Sequence, residues 1–303
     1  MLRVCVIGAG LMGRGIAAVA AGAGCAVAIH DTSEAALDRA RQEVEAAREC
    51  AEPADLPMRA SLDLETAVEG ADVVIEAVVE NLELKQDLFA RLDALLPQAL
   101  LATNTSVLPV TAIAARAKAP ERVVGTHWWN PPHLVPVVEV VKGERTSEAA
   151  MERAISLLER LGKRPVRVER DVPGFVGNRL QHALWREAVA LIADGVCDAQ
   201  TVDLMIRNTL GLKLGVMGPI ENADYVGLDL TLAIHETVLP SLNRDPHPSP
   251  LLRDLVAKGQ LGAKSGQGFL AWPEGERERA AARLADHVAR QLSDPARRDR
   301  AAS

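Results

Sequence analysis

A glycine-rich turn near the beginning of the chain constrains the fold more than any other feature. The apolar run Arg3-Val4-Cys5-Val6-Ile7 is followed at once by Gly8-Ala9-Gly10-Leu11-Met12-Gly13, and mostly small apolar residues then continue from Arg14 to Ala23. This order predicts a strand, a tight turn and a helix. The first glycine permits the turn, the second lets the backbone approach a pyrophosphate, and the third allows close packing of helix on strand.

An acidic residue follows where a dinucleotide site needs one. A second apolar run, Ala26 to His30, ends in Asp31, eighteen residues after Gly13. A carboxylate in this place accepts hydrogen bonds from the adenosine ribose and would repel a 2'-phosphate. Asp31 therefore favours NAD over NADP. The alternative is that Asp31 caps the helix predicted from Glu34.

Further strands are predicted at 72–77, 99–102, 123–125 and 137–141, with helical patterns between several of them. Alternating strands and helices predict a Rossmann-type α/β domain with a doubly wound, mostly parallel sheet. In such sheets ligands bind beyond the carboxyl ends of the strands. Candidate residues follow three of these ends: Glu80, Asn104-Thr105-Ser106 and His127.

His127 and Glu139 form a candidate pair of base and orienting carboxylate. Glu139 lies in a run of valines, where burying a bare charge would cost several kcal/mol, so it needs a partner. With strand periodicity it shares a face with Val137 and Val141, which points it inward. The alternative is an edge-strand glutamate and a core histidine that is bonded to backbone.

The alternation of strands and helices ends near Asp171-Val172-Pro173-Gly174-Phe175, and the pattern is helical from Val176 onward. We therefore predict an NAD-binding domain at 1–172, an all-helical domain for substrate binding and dimerisation at 173–273, and a charged helix or tail at 274–303.

Composition excludes several classes of protein. The formal charge of −7 leaves no basic face for nucleic acid, and no apolar run approaches the ~20 residues of a membrane helix. The four cysteines have no Cys-x-x-Cys pair, so we expect buried thiols in a reducing compartment and no metal site. The first predicted strand begins right after Met1, which leaves no room for a signal peptide. We expect a cytoplasmic protein.

The chain resembles the 3-hydroxyacyl-CoA dehydrogenase family from Val4 to about Trp272. Six motifs carry the resemblance: the glycine turn, Glu80-Asn81-Leu82-Glu83-Leu84-Lys85, Asn104-Thr105-Ser106, His127 to Glu139, Pro173 to Arg179, and Gly262-Ala263-Lys264-Ser265-Gly266-Gln267-Gly268-Phe269. The 6-phosphogluconate and hydroxyisobutyrate dehydrogenases share the glycine turn. They have a lysine one helical turn before an asparagine, whereas Gly174 precedes Asn178 here.

The resemblance implies a role for each residue of the site. His127 would take the hydroxyl proton while hydride leaves the same carbon for NAD, and Glu139 would hold the imidazole. Ser106 and Asn178 would bond the substrate oxygen, one from each domain. Glu80, Lys85 and Lys264 would contact the cofactor. The family also implies a homodimer formed through the helical domain.

Each of these residues has an ordinary structural alternative. Ser106 could cap a helix that starts near Val107, and Asn178 could cap or end the turn after Gly174. Taken singly, Lys85 is typical of a solvated helix residue and Lys264 of a loop charge.

Two departures from the family bear on the substrate. The interval from Thr32 to Gly70, where acyl-CoA enzymes carry a lysine-bearing hairpin for the CoA phosphates, holds ten Asp or Glu, four Arg and no Lys. The catalytic motif reads Trp128-Trp129-Asn130-Pro131-Pro132-His133 in place of Phe-Phe-Asn-Pro-Val-Pro, and Pro136 replaces a lysine. This variant of the motif resembles the branch with pyridine-carboxylate 5-dehydrogenase, gulonate 3-dehydrogenase, carnitine dehydrogenase and diketo-ester enzymes.

We therefore expect an NAD-dependent dehydrogenase of a small hydroxy acid that is not linked to CoA. An L-3-hydroxyacyl-CoA dehydrogenase is the alternative. A more remote alternative is a protein that keeps the fold without catalysis, as lambda-crystallins do, or that senses NADH. Such a protein would have lost one of the four residues at the proposed reaction centre, all of which are present: Ser106, His127, Glu139 and Asn178.

Overall fold

The structure is a computed structural model that describes residues 1–48 and 58–293. The chain divides into two compact units, an α/β unit at Met1–Arg179 and a helical unit at Leu180–Arg290. Cys50, the middle of the acidic interval and the end of the predicted charged tail lie outside the described residues.

Within the described ranges, eight strands form one sheet at the centre of the α/β unit. In space they follow the order β3-β2-β1-β4-β5-β6-β7-β8, and only the β6–β7 pair is antiparallel. The predicted Rossmann-type, mostly parallel sheet is confirmed. The strands are β1 (Arg3–Ile7), β2 (Ala26–His30), β3 (Arg59–Ser61), β4 (Val73–Glu76), β5 (Leu100–Thr103), β6 (Val123–Trp128), β7 (Val137–Val141) and β8 (Arg164–Val168).

Helices cover both faces of this sheet, because neighbouring residues of each buried strand point to opposite sides. Val4 and Val6 pack in one apolar cluster with residues of α1, α2 and α6, and Cys5 and Ile7 pack in the other with α3, α4 and α5. The helices are α1 (Leu11–Gly22), α2 (Glu34–Arg48), α3 (Leu64–Val68), α4 (Leu82–Leu95), α5 (Val110–Ile113) and α6 (Glu148–Arg160).

The rest of the described chain is helical, as predicted. Helix α7 (Gly177–Ala193) begins in the α/β unit and continues into the helical unit, which also contains α8 (Ala199–Asn208), α9 (Leu210–Leu214), α10 (Pro219–Val226), α11 (Leu228–Val238) and α12 (Pro250–Ala257); α13 (Glu276–Ser293) follows. Helices α8 to α12 bury no residue, and large apolar side chains on them are exposed, including Leu212, Ile220, Tyr225 and Leu228.

Three features of the sheet differ from the prediction. The strands β3 and β8 were not predicted, because β3 has three residues and β8 alternates arginine with apolar residues at the edge of the sheet. Strand β6 is longer than predicted and contains His127, which we had placed beyond its end. Its ladder with antiparallel β7 extends the strand to Trp128.

The cysteine prediction is partly correct. Cys5 and Cys25 are buried free thiols, and burial raises the pKa of Cys5 to about 12, whereas Cys197 is partly exposed. No helix in the described ranges is both long enough and apolar enough to cross a membrane.

Candidate active site

The glycine turn leaves the N-terminus of α1 open. Gly8 has φ +97°, and a Cβ there would lie 2.6 Å from the Ala77 carbonyl oxygen. A Cβ on Gly13 would lie 1.7 Å from the Gly8 carbonyl oxygen, so both positions exclude a side chain. A Cβ on Gly10 would meet no atom within 4 Å. The backbone at Gly10 and at the first helical residues, Leu11 and Met12, can therefore receive a phosphate group.

Asp31 holds this turn from the end of β2. Its Oδ2 accepts a hydrogen bond of 2.7 Å from the Ala9 N–H, and its Oδ1 accepts one of 2.9 Å from the Ser33 N–H. The alternative role as a cap of α2 falls to Ser33, whose Oγ lies 3.4 Å from the Ala36 nitrogen. Asp31 is partly exposed beside the turn, where a ribose would follow the phosphates.

His127 and Glu139 lie directly opposite each other on β6 and β7. Both are 4% exposed, and His127 Nδ1 lies 2.7 Å from Glu139 Oε2. Because an ionised carboxylate only accepts hydrogen bonds, Nδ1 carries the proton and Nε2 keeps a free lone pair. Nε2 has no hydrogen-bond partner in the described part of the chain. This arrangement can accept a proton at Nε2.

Glu139 is held ionised by further donors. Its Oε1 accepts hydrogen bonds of 3.0 and 3.1 Å from the N–H groups of Val176 and Gly177 at the start of α7. Burial acts to raise the pKa of Glu139, but the bonds from His127 and the two backbone amides outweigh it and lower the pKa below its ordinary value.

Two aromatic rings enclose the imidazole of His127. The ring centroid of Trp129 lies 5.0 Å from it and that of Phe175 5.8 Å. Trp129 is packed so closely on Gly177 that a Cβ there would lie 2.3 Å from the indole Cζ2. The buried Phe175 has φ 51°, unusual for a residue with a side chain, and follows Gly174 at φ 76°. The turn before α7 thus brings Phe175 against the histidine, and Trp129, which follows β6, packs between the histidine and the start of α7.

Ser106 and Asn178 also meet. Asn178 Nδ2 donates a hydrogen bond of 2.9 Å to the Ser106 carbonyl oxygen. Asn178 lies in the first turn of α7, and its contacts place it in the same compact unit as Ser106. The first helix after Ser106 begins only at Val110, so Ser106 does not cap a helix at Val107. Its side chain is exposed.

Glu80 and Lys85 occupy different environments. Glu80 is one-third exposed, and its Oε1 accepts bonds from the Thr105 hydroxyl and from the N–H groups of Ser106 and Val107. Lys85 is 1% exposed, and its Nζ lies 2.6 Å from Glu76 Oε1. The solvated-lysine alternative is therefore wrong. A direct contact between Lys85 and a cofactor would require this ion pair to open.

Lys264 lies in the helical unit. It is exposed on a turn that is closed by a bridge between Gly262 and Gln267. Its contact with a cofactor stays a prediction. Leu11 is exposed and Met12 partly buried at the start of α1, next to the glycine turn.

Sequence reasoning missed Glu76 and assigned no role to Asn104. Glu76 is fully buried at the end of β4, and a glutamate in an apolar strand is the signal that singled out Glu139. Asn104 was noted only as part of a motif. Its Oδ1 accepts a bond of 2.9 Å from the Trp128 N–H. This bond ties the Ser106 loop, residues 104–109 between β5 and α5, to the strand of His127. No sequence signal predicts that bond, since it joins the residue after β5 to the last residue of β6.

Family profiles cover nearly the whole chain. The profile described as the 3-hydroxyacyl-CoA dehydrogenase NAD binding domain matches residues 3–172. The profile for the C-terminal domain of the same dehydrogenases matches residues 174–272.

Relatives of two kinds are similar to the chain. One is 5-formyl-3-hydroxy-2-methylpyridine 4-carboxylate 5-dehydrogenase from Mesorhizobium japonicum, 36% identical over 90% of this chain and 91% of the relative. Another is a probable 3-hydroxybutyryl-CoA dehydrogenase from Deinococcus radiodurans, 39% identical over 87% of this chain and 98% of the relative.

A solved structure is similar over almost the full length. It is a crystal structure of 5-formyl-3-hydroxy-2-methylpyridine 4-carboxylic acid 5-dehydrogenase, described as an NAD+-dependent dismutase. It is 34% identical, covers 96% of this chain and 98% of its own, and has a TM-score of 0.89.

Proposed function

This chain belongs to the 3-hydroxyacyl-CoA dehydrogenase family of NAD-dependent oxidoreductases that act on CH–OH groups, and we propose that its substrate is a small hydroxy acid that is not a CoA thioester. NAD serves as the hydride acceptor. The 2.7 Å contact between His127 and Glu139 is the observation that carries the proposed chemistry.

In this proposal His127 is the general base. Its free Nε2 removes the proton of the substrate hydroxyl as hydride leaves the carbon that bears this hydroxyl. The carboxylate of Glu139 fixes the tautomer through Nδ1 and stabilises the imidazolium that forms. Because both side chains are buried, this charge interaction is stronger than it would be in water.

Ser106 and Asn178 hold the substrate oxygen. The exposed Ser106 hydroxyl can donate a hydrogen bond to an alkoxide or carbonyl oxygen, where charge develops during the reaction. Asn178 has one amide hydrogen engaged with the Ser106 carbonyl and keeps a second for the substrate.

The cofactor contacts follow from the open turn. The pyrophosphate would lie at Gly8, Gly10 and Gly13, with the N–H groups of Leu11 and Met12 directed at it. The ribose would bond Asp31, whose charge disfavours the 2'-phosphate of NADP. Glu80 and Lys264 complete the proposed contacts.

Charge in the Thr32–Gly70 interval supports a substrate without CoA. In the described part, the Arg41 guanidinium is paired with both Glu34 and Asp38, and Arg59 is paired with Glu69. Two of the four arginines of the interval are therefore paired with carboxylates, and the interval contains no lysine for the CoA phosphates. The similarity to a dehydrogenase of a pyridine carboxylate supports the same proposal.

The second candidate is L-3-hydroxyacyl-CoA dehydrogenase, which the similarity to the probable 3-hydroxybutyryl-CoA dehydrogenase favours. Initial rates of NADH formation separate the two. We would compare L-3-hydroxybutyryl-CoA with L-3-hydroxybutyrate, L-carnitine, L-gulonate and pyridine hydroxymethyl acids. Turnover of a free acid supports our proposal. Turnover of the thioester alone would overturn it.

We also propose a cytoplasmic homodimer. The free thiols of Cys5, Cys25 and Cys197 fit a reducing compartment. The apolar side chains exposed on helices α8 to α12 would be covered by a second copy of the chain. Light scattering at micromolar concentration should give twice the mass of one chain, and the mass of a single chain would contradict the dimer.

A further inference from the structure

Lys85 is the centre of a buried chain of charges beside the proposed reaction centre. Its Nζ lies 2.6 Å from Glu76 Oε1 and 3.3 Å from Glu80 Oε2. Glu76 is fully buried and also accepts bonds of 2.7 Å from the Val78 N–H and the Thr103 hydroxyl. An ammonium group enclosed in this way is tolerated because two carboxylates compensate its charge.

Glu80 connects Lys85 to the Ser106 loop. Its Oε2 faces Lys85, while its Oε1 accepts the Thr105 hydroxyl and the N–H groups of Ser106 and Val107, at 3.0 and 3.1 Å from the two nitrogens. Burial acts to raise the pKa of Glu80, but the Thr105 bond, the charge of Lys85 and the two amides together lower it. The carboxylate therefore remains ionised while it holds three donors of one loop.

The backbone of Ser106 is fixed on both sides of its side chain. Its N–H donates to Glu80, and its carbonyl oxygen accepts from Asn178 Nδ2. The neighbouring Asn104 is joined to the Trp128 N–H, next to His127. The hydroxyl of Ser106 has no hydrogen-bond partner in the ranges that the structure describes. A fixed backbone with a free hydroxyl is what a group that must meet a substrate oxygen requires.

We propose that Lys85 is a positioning residue. Through Glu80 it anchors the loop of Ser106 to the buried carboxylate of Glu76 and so places the Ser106 hydroxyl for the substrate oxygen. The inference rests on the proposed function, because it assigns Ser106 to the substrate. It differs from a direct cofactor contact by Lys85, since the ammonium lies between two carboxylates and has almost no exposed surface.

A double-mutant cycle tests the inference. Lys85→Met and Ser106→Ala should each lower kcat/KM by about 10- to 100-fold. The kcat/KM of the double variant should lie within about threefold of that of the less active single variant, because Lys85 acts through Ser106. The dissociation constant for NADH, measured by fluorescence titration, should stay within about threefold of the wild-type value. The inference would be overturned if the loss of kcat/KM in the double variant equalled the product of the two single losses. It would also be overturned if NADH binding weakened more than tenfold.

Arg122→Met is the matched control. Arg122 is paired with the buried Asp93 in the same compact unit, so its removal also leaves a buried carboxylate without its cation. Any loss of kcat/KM in this variant should multiply with that of Ser106→Ala. Should Lys85→Met fail to fold, Glu76→Gln/Lys85→Met removes one anion together with the cation and takes its place with the same expectations.

Hydrogen exchange gives a result that does not depend on turnover. The Ser106 and Val107 amides should exchange at least tenfold faster in the Lys85 variant than in the wild type, and unchanged exchange would overturn the inference. The Arg122 variant should leave these amides unchanged. If the amides exchange faster in the Lys85 variant but the wild-type protein oxidises no substrate, the proposed function is wrong and the anchoring of the loop still stands.

Discussion

His127 Nδ1 and Glu139 Oε2 are 2.7 Å apart, on residues that face each other across the antiparallel pair β6 and β7. The distance is therefore set by the sheet and by the amides of α7, which bond the other carboxylate oxygen. Such a pair is pre-organised, because neither side chain has to move before a proton is taken from the substrate.

Glu139→Gln should lower kcat by about 10²- to 10⁴-fold, since an amide cannot stabilise the imidazolium as a carboxylate does. Its oxygen can still accept from Val176 and Gly177, so the fold should persist. Steady-state kinetics and circular dichroism measure the two effects. Glu144→Gln, at an exposed glutamate, is the control and should change neither. Equal kinetics in the two variants would refute the role of Glu139.

Gly177→Ala should lower kcat by about 10- to 100-fold, because the new Cβ would lie 2.3 Å from the indole of Trp129, which packs against His127. Steady-state kinetics will check this. Gly22→Ala is the matched control, since a Cβ there would have its nearest contact at 3.7 Å, and it should retain full activity. Full activity of the Gly177 variant would show that Trp129 does not help to hold His127.

Gly10→Ala and Gly13→Ala should fail in different ways. The Gly10 variant should fold normally, since its Cβ meets nothing within 4 Å, but should bind NADH at least tenfold more weakly because the methyl group occupies the pyrophosphate position. The Gly13 variant should lose about 3 kcal/mol or more of unfolding free energy through its clash with the Gly8 carbonyl. Urea unfolding and NADH titration measure both. Unchanged NADH binding by the Gly10 variant would contradict the proposed position of the pyrophosphate at this turn.

Lys163 provides a prediction about pH. It is 8% exposed, it donates to the Pro132 and Val135 carbonyl oxygens, and burial lowers its pKa to about 8. The unfolded chain, where the pKa is near 10.5, therefore binds more protons between about pH 8 and 10.5, so this group makes the fold more stable as pH rises through that window.

Lys163→Met should lose this gain, which amounts to about 3 kcal/mol over the whole window. Urea unfolding of both proteins at pH 7.5, 8.5 and 9.5 gives the difference directly, with other titrating groups cancelling between them. Parallel curves for the two proteins would mean that Lys163 is not buried as a cation.

Much of the α/β unit could be predicted because its signals are local. The bounds of β1, β2 and β7 agree with the apolar runs in the sequence, and the inward direction of Glu139 follows from strand periodicity. The partners of Asp31 and the extension of β6 to Trp128 could not be predicted. They depend on residues that meet only in the folded chain, such as Ala9 for Asp31 and Val138 for Trp128.

The environment of Lys85 shows the same limit. A lysine in the first turn of a helix is typical of a solvated side chain, yet tertiary packing buries Lys85 against Glu76. Neither residue alone indicates the pair. Glu76 at the end of β4 and Lys85 in α4 are nine positions apart and meet only in the folded chain. The strand β8 was missed for a related reason, since its arginines alternate with apolar residues at a sheet edge.

The most direct test of the account is His127→Gln, measured for turnover and for NADH binding in parallel. Without a basic Nε2, kcat/KM on the best substrate should fall by about 10²- to 10⁴-fold, while the NADH dissociation constant stays within about threefold of the wild-type value. A variant that keeps more than half of the wild-type activity would contradict the assignment of His127 as the base.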